Sequence, residues 1–579
     1  MNPEERQGKS KKDRVLVICL DGATFDLLDP WIESGRLPTL KRFTEEGVKG
    51  ELASVVPPIT APAWASFMTG KNPGKHGVYY FVTRGRETDQ ATFVDSKSRA
   101  GKALWHLLGE AGKTVLVLNV PTTYPPEEVK GALISDFLTP PGKRDFTYPA
   151  SLVDELEGKF GKYPLHLKTL MFSAGMSVSN AERLLSELRH EVKVKFEAAH
   201  YLLDKYEADF CILHILGTDR VQHELWRLFD PEDPLHDEQM SRHCSEPVID
   251  YFVEVDREID RLWRRFGEEA TTFVISDHGF GPIRKVIDLN VWLLEHGYIR
   301  IREGAGSRLK SALWKRGLTK ERFTKMALRT FFKYGAGVVA RIPDESIFKS
   351  MLFLARRGDR GSLLFSFDDV DWGRTRAYAP VGMGAIYVNL RGREERGSVH
   401  PGEEYESLKE EIAGKLRSLT DPDTGKPIAA DVFLREEIYH GPHLDRGPDI
   451  VFLPNASGLF AGSMTAFFSN RWIFANAAWP GHHCMQGILL ARGRWFRKGA
   501  RIEGARLIDL APTILHLLGS EVPEDMDGRV LAGLFEEGFL QGRPVAYRAP
   551  DEDVAAPLSG PAENEEDVIR RLKDLGYLL

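Results

Sequence analysis

The sequence predicts an α/β fold with a mostly parallel sheet between helices, and two observations carry that reading. Short runs rich in β-branched residues alternate with helical patterns, and several of these runs end directly in a carboxylate. The runs are Val15–Leu20, Thr114–Val120, Ala132–Ser135, Phe210–Leu216, Thr272–Ile275 and Pro448–Leu453. They are continuously apolar rather than alternating, as expected of strands covered by helices on both faces.

Open sheets of this kind bind ligands beyond the carboxyl ends of their strands. The first run ends in Asp21-Gly22, the fourth in Gly217-Thr218-Asp219 and the fifth in Ser276-Asp277-His278-Gly279. Asp-Gly after a strand is ordinary turn chemistry, so no single one of these is diagnostic. Taken with histidines they form a pattern. Asp219 and His223 stand four apart, which places both on one helical face. His278 follows Asp277, and a Gly-bounded GHHCMQG segment at 481–487 adds His482 and His483. Carboxylates and imidazoles without thiolates suit zinc or manganese at a site with open positions.

Thr60 lies in VVPPITAPAWASFMTGKNPGKHGVYYF, just before an expected helix from Ala63 to Thr69. A hydroxyl at a helix N-terminus faces free N–H groups that favour an incoming phosphate, although the same position is also a normal cap. In chain order, LDG at 20–22, T-x-P at Thr60 with TGKNPGKHGV after it, GTDRVQH, SDHGF, GHHCMQG and LIDLAPTILHLLGSEVPEDMDGRVL resemble the type I phosphodiesterase and nucleotide pyrophosphatase branch of the alkaline phosphatase superfamily.

That resemblance implies an alkaline-phosphatase-like core and a nucleophilic Thr60. It also implies two divalent metal ions, zinc or manganese. Asp21, Thr60, Asp277 and His278 would hold one, and Asp219, His223 and His483 the other. The expected function is two-metal hydrolysis of a small phosphate ester through a phospho-threonine. The leading substrate class is a phosphodiester. A phosphomonoester or phosphonate comes second, and a binding protein of the same fold without chemistry third. Sulfatases of the superfamily carry Cys or Ser where this chain has Thr60, which disfavours sulfate esters. The nucleotide-cleaving relatives carry Asn where this chain has Phe81. Lys71, Asn72 or Lys75 would then supply the missing donor, with Phe81 as an apolar wall and His482 facing the substrate.

At 579 residues the chain exceeds one ordinary core. It reads as a charged tail (1–13), a catalytic core (14–287 and 440–548), a helical basic cap (288–367), a small α+β subdomain (368–439) and an acidic linker with a C-terminal helix (549–579). Between Arg308 and Lys333 nine Lys or Arg face a single acid, Glu321. That stretch is expected to be a solvated helix face or a peripheral membrane contact. The net charge of −7 argues against a nucleic-acid partner. No apolar run is long enough for a transmembrane span, and none at the N-terminus resembles a signal. Cys19, Cys211, Cys244 and Cys484 lack paired spacing. A cytoplasmic location is expected; the oligomeric state is open.

Overall fold

The computed structural model describes residues 13–84, 91–167, 177–323, 325, 364–380, 382–455, 458–463, 467–476 and 480–550. Nine strands form its main sheet: β1 (Val15–Leu20), β2 (Val48–Ala53), β3 (Val115–Leu118), β4 (Gly131–Ile134), β5 (Thr147–Tyr148), β6 (Phe210–Ile215), β7 (Thr271–Ile275), β8 (Gln486–Arg492) and β9 (Ala500–Arg506). Their order is β9-β2-β8-β7-β1-β6-β3-β4-β5. The run β7-β1-β6-β3-β4 is parallel throughout. Strand β8 is antiparallel to both of its neighbours.

Alternation along β1 builds the two faces. Leu16, Ile18 and Leu20 enter one apolar cluster, while Val15, Val17 and Cys19 enter the other. Each strand residue reverses side, so a run apolar at every position feeds two cores at once. Helices α2 (Val178–Lys205) and α4 (Glu238–Phe266) cover the first face. Trp64, Phe67 and Met68 of α1 (Thr60–Thr69) cover the second. Between α2 and α4 lies α3 (Gly217–Leu225), every residue of which is buried.

A third apolar cluster, running from Ile287 to Ile473, organises an accessory unit. Pro448–Leu453, expected as a strand of the main sheet, lies here instead as Ile450–Pro454, between Ala385–Val388 and Ala429–Leu434. An apolar run announces a buried strand but not its sheet, and the partners that decide this are distant in sequence. Helices Leu289–Glu295 and Ala305–Lys315, read as part of a separate cap, contribute Trp292 and Trp314 to this same cluster. Further along, Gly481–Cys484 pairs antiparallel with Gly279–Pro282, just beyond β7.

Candidate active site

Three adjacent parallel strands deliver the three carboxylates. Asp21 follows β1, Asp277 lies just beyond β7, and Asp219 stands in the first turn of α3 after β6. A fourth strand brings His483 opposite Phe280. Gly22 makes this convergence possible. Its φ is +64°, and a Cβ there would lie 3.1 Å from Asp219 Oδ1 and 3.3 Å from the Phe280 ring. A side chain at that position would be both strained and crowded.

The sequence-expected ligands fall into two groups, Asp21 with Asp277 and His278, and Asp219 with His223 and His483. Within each, the potential ligand atoms lie within 4.8 Å of one another, and all six residues are buried. His278 Nε2 is 3.3 Å from Asp277 Oδ2 and 3.6 Å from Asp21 Oδ1. His223 Nε2 and His483 Nε2 both stand 3.3 Å from Asp219 Oδ1 and 3.0 Å from each other. The His278 and His483 rings stack at 3.6 Å, so the groups adjoin. Thr60 Oγ1 lies 3.2 Å from His278 Nε2. Thr60 is the first residue of α1, three positions ahead of the expected helix start.

The electrostatics favour cation binding. Burial, with Asp277 and Asp219 nearby, pushes the Asp21 carboxyl well above the usual range, and burial raises Asp277 as well. Burial also opposes ionisation of Asp219, but the His223 and His483 nitrogens against it hold its carboxyl well below the usual value. His483 is pushed down to about 3 by burial and by His278, which leaves a neutral imidazole with a lone pair to offer. Among the described residues, Asp21 Oδ1, Asp277 Oδ2 and both Asp219 oxygens are buried without a well-formed hydrogen bond, His nitrogens standing 3.3 Å from Asp277 Oδ2 and Asp219 Oδ1. Crowded, unsatisfied carboxylates of this kind cost several kcal/mol each unless something positive completes them. The donor set therefore fits divalent cations.

One contributor was not anticipated from the sequence. His214, inside β6, places Nε2 2.6 Å from Asp21 Oδ2, edge-on to Trp64. Burial keeps it far below its usual pKa, hence neutral, and with the carboxylate as acceptor Nε2 carries the proton. The signal was present as the one imidazole inside the apolar run FCILHIL. Beside the ligand stripe of α3, Arg220 and Glu224 are also buried. Burial pushes Glu224 up to about 8, opposed by the Arg220 charge.

The loop residues expected to touch substrate have other partners. Lys71 pairs with Asp525. Lys75 Nζ donates to Asp527 Oδ1 at 2.5 Å and to the Asp525 carbonyl at 2.7 Å. Asn72 caps the short helix Pro73–His76 and donates to Asp527 Oδ2 at 2.8 Å. These three fasten the segment after α1 to the chain's closing stretch, a job for which a TGKNPGKHG turn is as well suited as for binding phosphate. Phe81 is fully buried beneath the Thr60 segment, with Ile59, Ala61 and Phe137, and offers no face to a substrate. The expected wall is thus part of the floor. His482 does stand at the site, its ring 5.5 Å from that of His223 and 4.4 Å from Phe460, and its Nδ1 accepts from the His483 amide at 2.7 Å.

In the basic stretch, Lys310 faces Asp369 at 3.5 Å and Trp314 is buried, whereas Leu309 is exposed. Residues 326–333 of that stretch, the tail 1–12 and the expected C-terminal helix lie outside the described residues. No helix among the described residues is long and apolar enough to cross a membrane.

Solved structures of similar fold include human ectonucleotide pyrophosphatase/phosphodiesterase 5, at 15% identity and TM-score 0.44 over 90% of this chain and 100% of that one. Phosphonoacetate hydrolase from Sinorhizobium meliloti 1021, in complex with phosphonoformate, matches at 17% identity and TM-score 0.48 over 88% of this chain and 95% of that one. A family model described as type I phosphodiesterase / nucleotide pyrophosphatase matches residues 15–466, a span that takes in six of the seven expected ligand residues and stops short of His483. With most of its length matched, and with the seventh residue brought to the same site by the fold, the chain belongs to the type I phosphodiesterase / nucleotide pyrophosphatase family.

Proposed function

We propose that this phosphohydrolase is a phosphodiesterase dependent on two divalent metal ions, acting through a phosphorylated Thr60. The observation that carries the reading is the pair of adjoining, buried, three-residue donor groups with the Thr60 hydroxyl beside one of them. Asp21, Asp277 and His278, with Thr60, would hold one cation; Asp219, His223 and His483 would hold the other. Bound there, divalent ions supply Lewis-acid stabilisation of phosphoryl oxygens and promote ionisation of a hydroxyl at neutral pH.

The chain's own contribution is placement. Helix α1 presents Thr60 Oγ1 from a fully buried first turn, so the nucleophile is fixed before substrate arrives. Attack by Oγ1 forms a Thr–O–P bond as the ester oxygen leaves. Water then attacks phosphorus and restores the hydroxyl, and two in-line displacements retain configuration overall. The metals are zinc or manganese by ligand type, and the family argues for a diester. The support that Phe81 was expected to give a diester falls away with its burial.

Bis-p-nitrophenyl phosphate tests this directly. Chelator-treated protein should lose turnover and regain it with zinc or manganese, with two equivalents bound. Full activity after exhaustive chelation, or fewer than one equivalent in active protein, would overturn the reading. His214 gives a second measurement. Because its Nε2 contacts Asp21 Oδ2 while Oδ1 is the oxygen paired with His278, His214→Phe should weaken metal affinity roughly 10- to 100-fold, as substitutions behind a ligand do. Equilibrium metal titration reads this without relying on activity, and unchanged affinity would show that the contact does not position Asp21.

A further inference from the structure

Arg220 and Glu224 stand one helical turn apart on α3, immediately beyond Asp219 and His223. Both are more than nine-tenths buried. Among the described residues, Arg220 Nη1 and both Glu224 carboxyl oxygens have no hydrogen-bond partner. Burying a charge is costly unless it is paired, and buried polar groups left unsatisfied in a native fold call for an explanation. The mechanism uses neither residue. The other cations expected at this edge, Lys71 and Lys75, are held by Asp525 and Asp527.

Geometry says what these groups face. Successive residues of a helix are turned by about 100°, so Arg220 and Glu224 form a stripe adjoining the Asp219–His223 stripe. Leu216, one turn before Arg220, packs with Ile59 and Ala61, which flank the nucleophile in the chain. The Arg220 charge also acts on Asp21 across the site. Arg220 thus lies on the helix that carries Asp219 and His223, within electrostatic reach of Asp21, and Glu224 lies one turn further along it.

We infer that Arg220 and Glu224 form a subsite for a dipolar organic arm of the substrate, one carrying an anionic group beside a hydroxyl or ammonium donor. This rests on the phosphohydrolase reading. Arg220 donates to the anion, and the Glu224 oxygens accept from the donor. Residues four apart on a helix hold their Cβ atoms ~6 Å from each other, a span matched by a small arm whose two polar groups sit on neighbouring carbons. An aryl or purely apolar arm would leave both groups unsatisfied.

The test is competitive inhibition of bis-p-nitrophenyl phosphate hydrolysis by inorganic phosphate, phosphoethanolamine and O-phosphoserine. In the native enzyme O-phosphoserine should bind most tightly. Arg220→Gln should raise its Ki about 10- to 100-fold more than that of phosphate, the worth of a hydrogen bond to a charged group. Glu224→Gln should weaken both amine-bearing inhibitors more than phosphate. Arg220→Lys, which keeps the charge but not the planar fork, should fall between native and Gln. Thermal unfolding separates this role from a structural one: loss of a buried charge whose Nη1 makes no hydrogen bond among the described residues should leave Tm unchanged or raised. The inference is overturned if O-phosphoserine binds no better than phosphate, if each variant shifts all three inhibitors equally, or if Arg220→Gln lowers Tm as loss of a structural residue would. Absence of bis-p-nitrophenyl phosphate turnover in metal-loaded native protein would instead overturn the phosphohydrolase reading itself.

Discussion

Thr60→Ala is expected to reduce kcat by at least ~10³, because removal of a covalent nucleophile leaves only binding and electrostatic stabilisation to act on the reaction. Metal binding should persist, since Asp21, Asp277 and His278 on one side and Asp219, His223 and His483 on the other are untouched. Thr60→Ser should keep partial activity: a primary hydroxyl fits the same first turn of α1, where every neighbour is buried and the backbone is held by the helix. The methyl it lacks leaves a small gap and a freer rotamer. Rapid-quench measurements with a labelled diester check the intermediate, which should appear on Thr60 in the native enzyme and be absent in Thr60→Ala. A Thr60→Ala enzyme within tenfold of native kcat would end the nucleophile assignment.

Asp277→Asn should be comparably severe for catalysis, at least ~10³ in kcat/KM, yet the metal-free protein should become more stable, not less. Asp277 is fully buried and close to His278, with Asp21 and Asp219 acting on one another across the same small volume. Among the described residues the Asp277 Oδ2 atom has no hydrogen-bond partner, while Oδ1 accepts from the Gly22 amide at 3.2 Å. An amide in the same shape keeps that second contact and removes the tendency to bury like charges, the arrangement that pushes one carboxyl of a pair far upward. Removal should therefore raise the Tm of chelated protein by about 1 °C, an effect on the order of 1 kcal/mol. The native protein should gain stability when zinc or manganese is added, in proportion to ligand affinity, whereas Asp277→Asn should gain much less. Calorimetry with and without metal decides this. A chelated Asp277→Asn protein markedly less stable than native would mean that the carboxylate serves the fold.

These predictions draw on two kinds of information. The fold class and most of the Asp and His ligand candidates were legible in the sequence through local rules, while the choice of His483 over His482 came from the family resemblance. A strand buried on both faces must be apolar at every position, as Val15–Leu20 and Phe210–Ile215 are. Residues four apart on a helix share a face, as Asp219 and His223 do. Motif order along the chain then related these pieces to one family, and the fold brought Asp21, Asp277 and His278 together, and likewise Asp219, His223 and His483.

What the sequence could not decide was which partner a side chain finds when several are chemically suitable. Lys71, Asn72 and Lys75 are phosphate-binding types in a phosphate-binding kind of loop, but Asp525 and Asp527, some 450 positions away in the chain, reach them first. Phe81 reads equally well as wall or floor, and only packing against Ile59, Ala61 and Phe137 makes it floor. Ile450–Pro454 satisfies the pattern of either sheet, and its pairing with Ala385–Val388 and Ala429–Leu434 settles the matter. His214 is an ordinary polar interruption of a strand until β1 is laid beside β6 and sets Cys19 level with it, one strand turn before Asp21. Local rules fix what a segment is, because they follow from backbone geometry and from burial on one face or two. Contacts between distant segments fix what a side chain does, because they depend on which of several compatible partners the closed sheet brings within hydrogen-bonding distance.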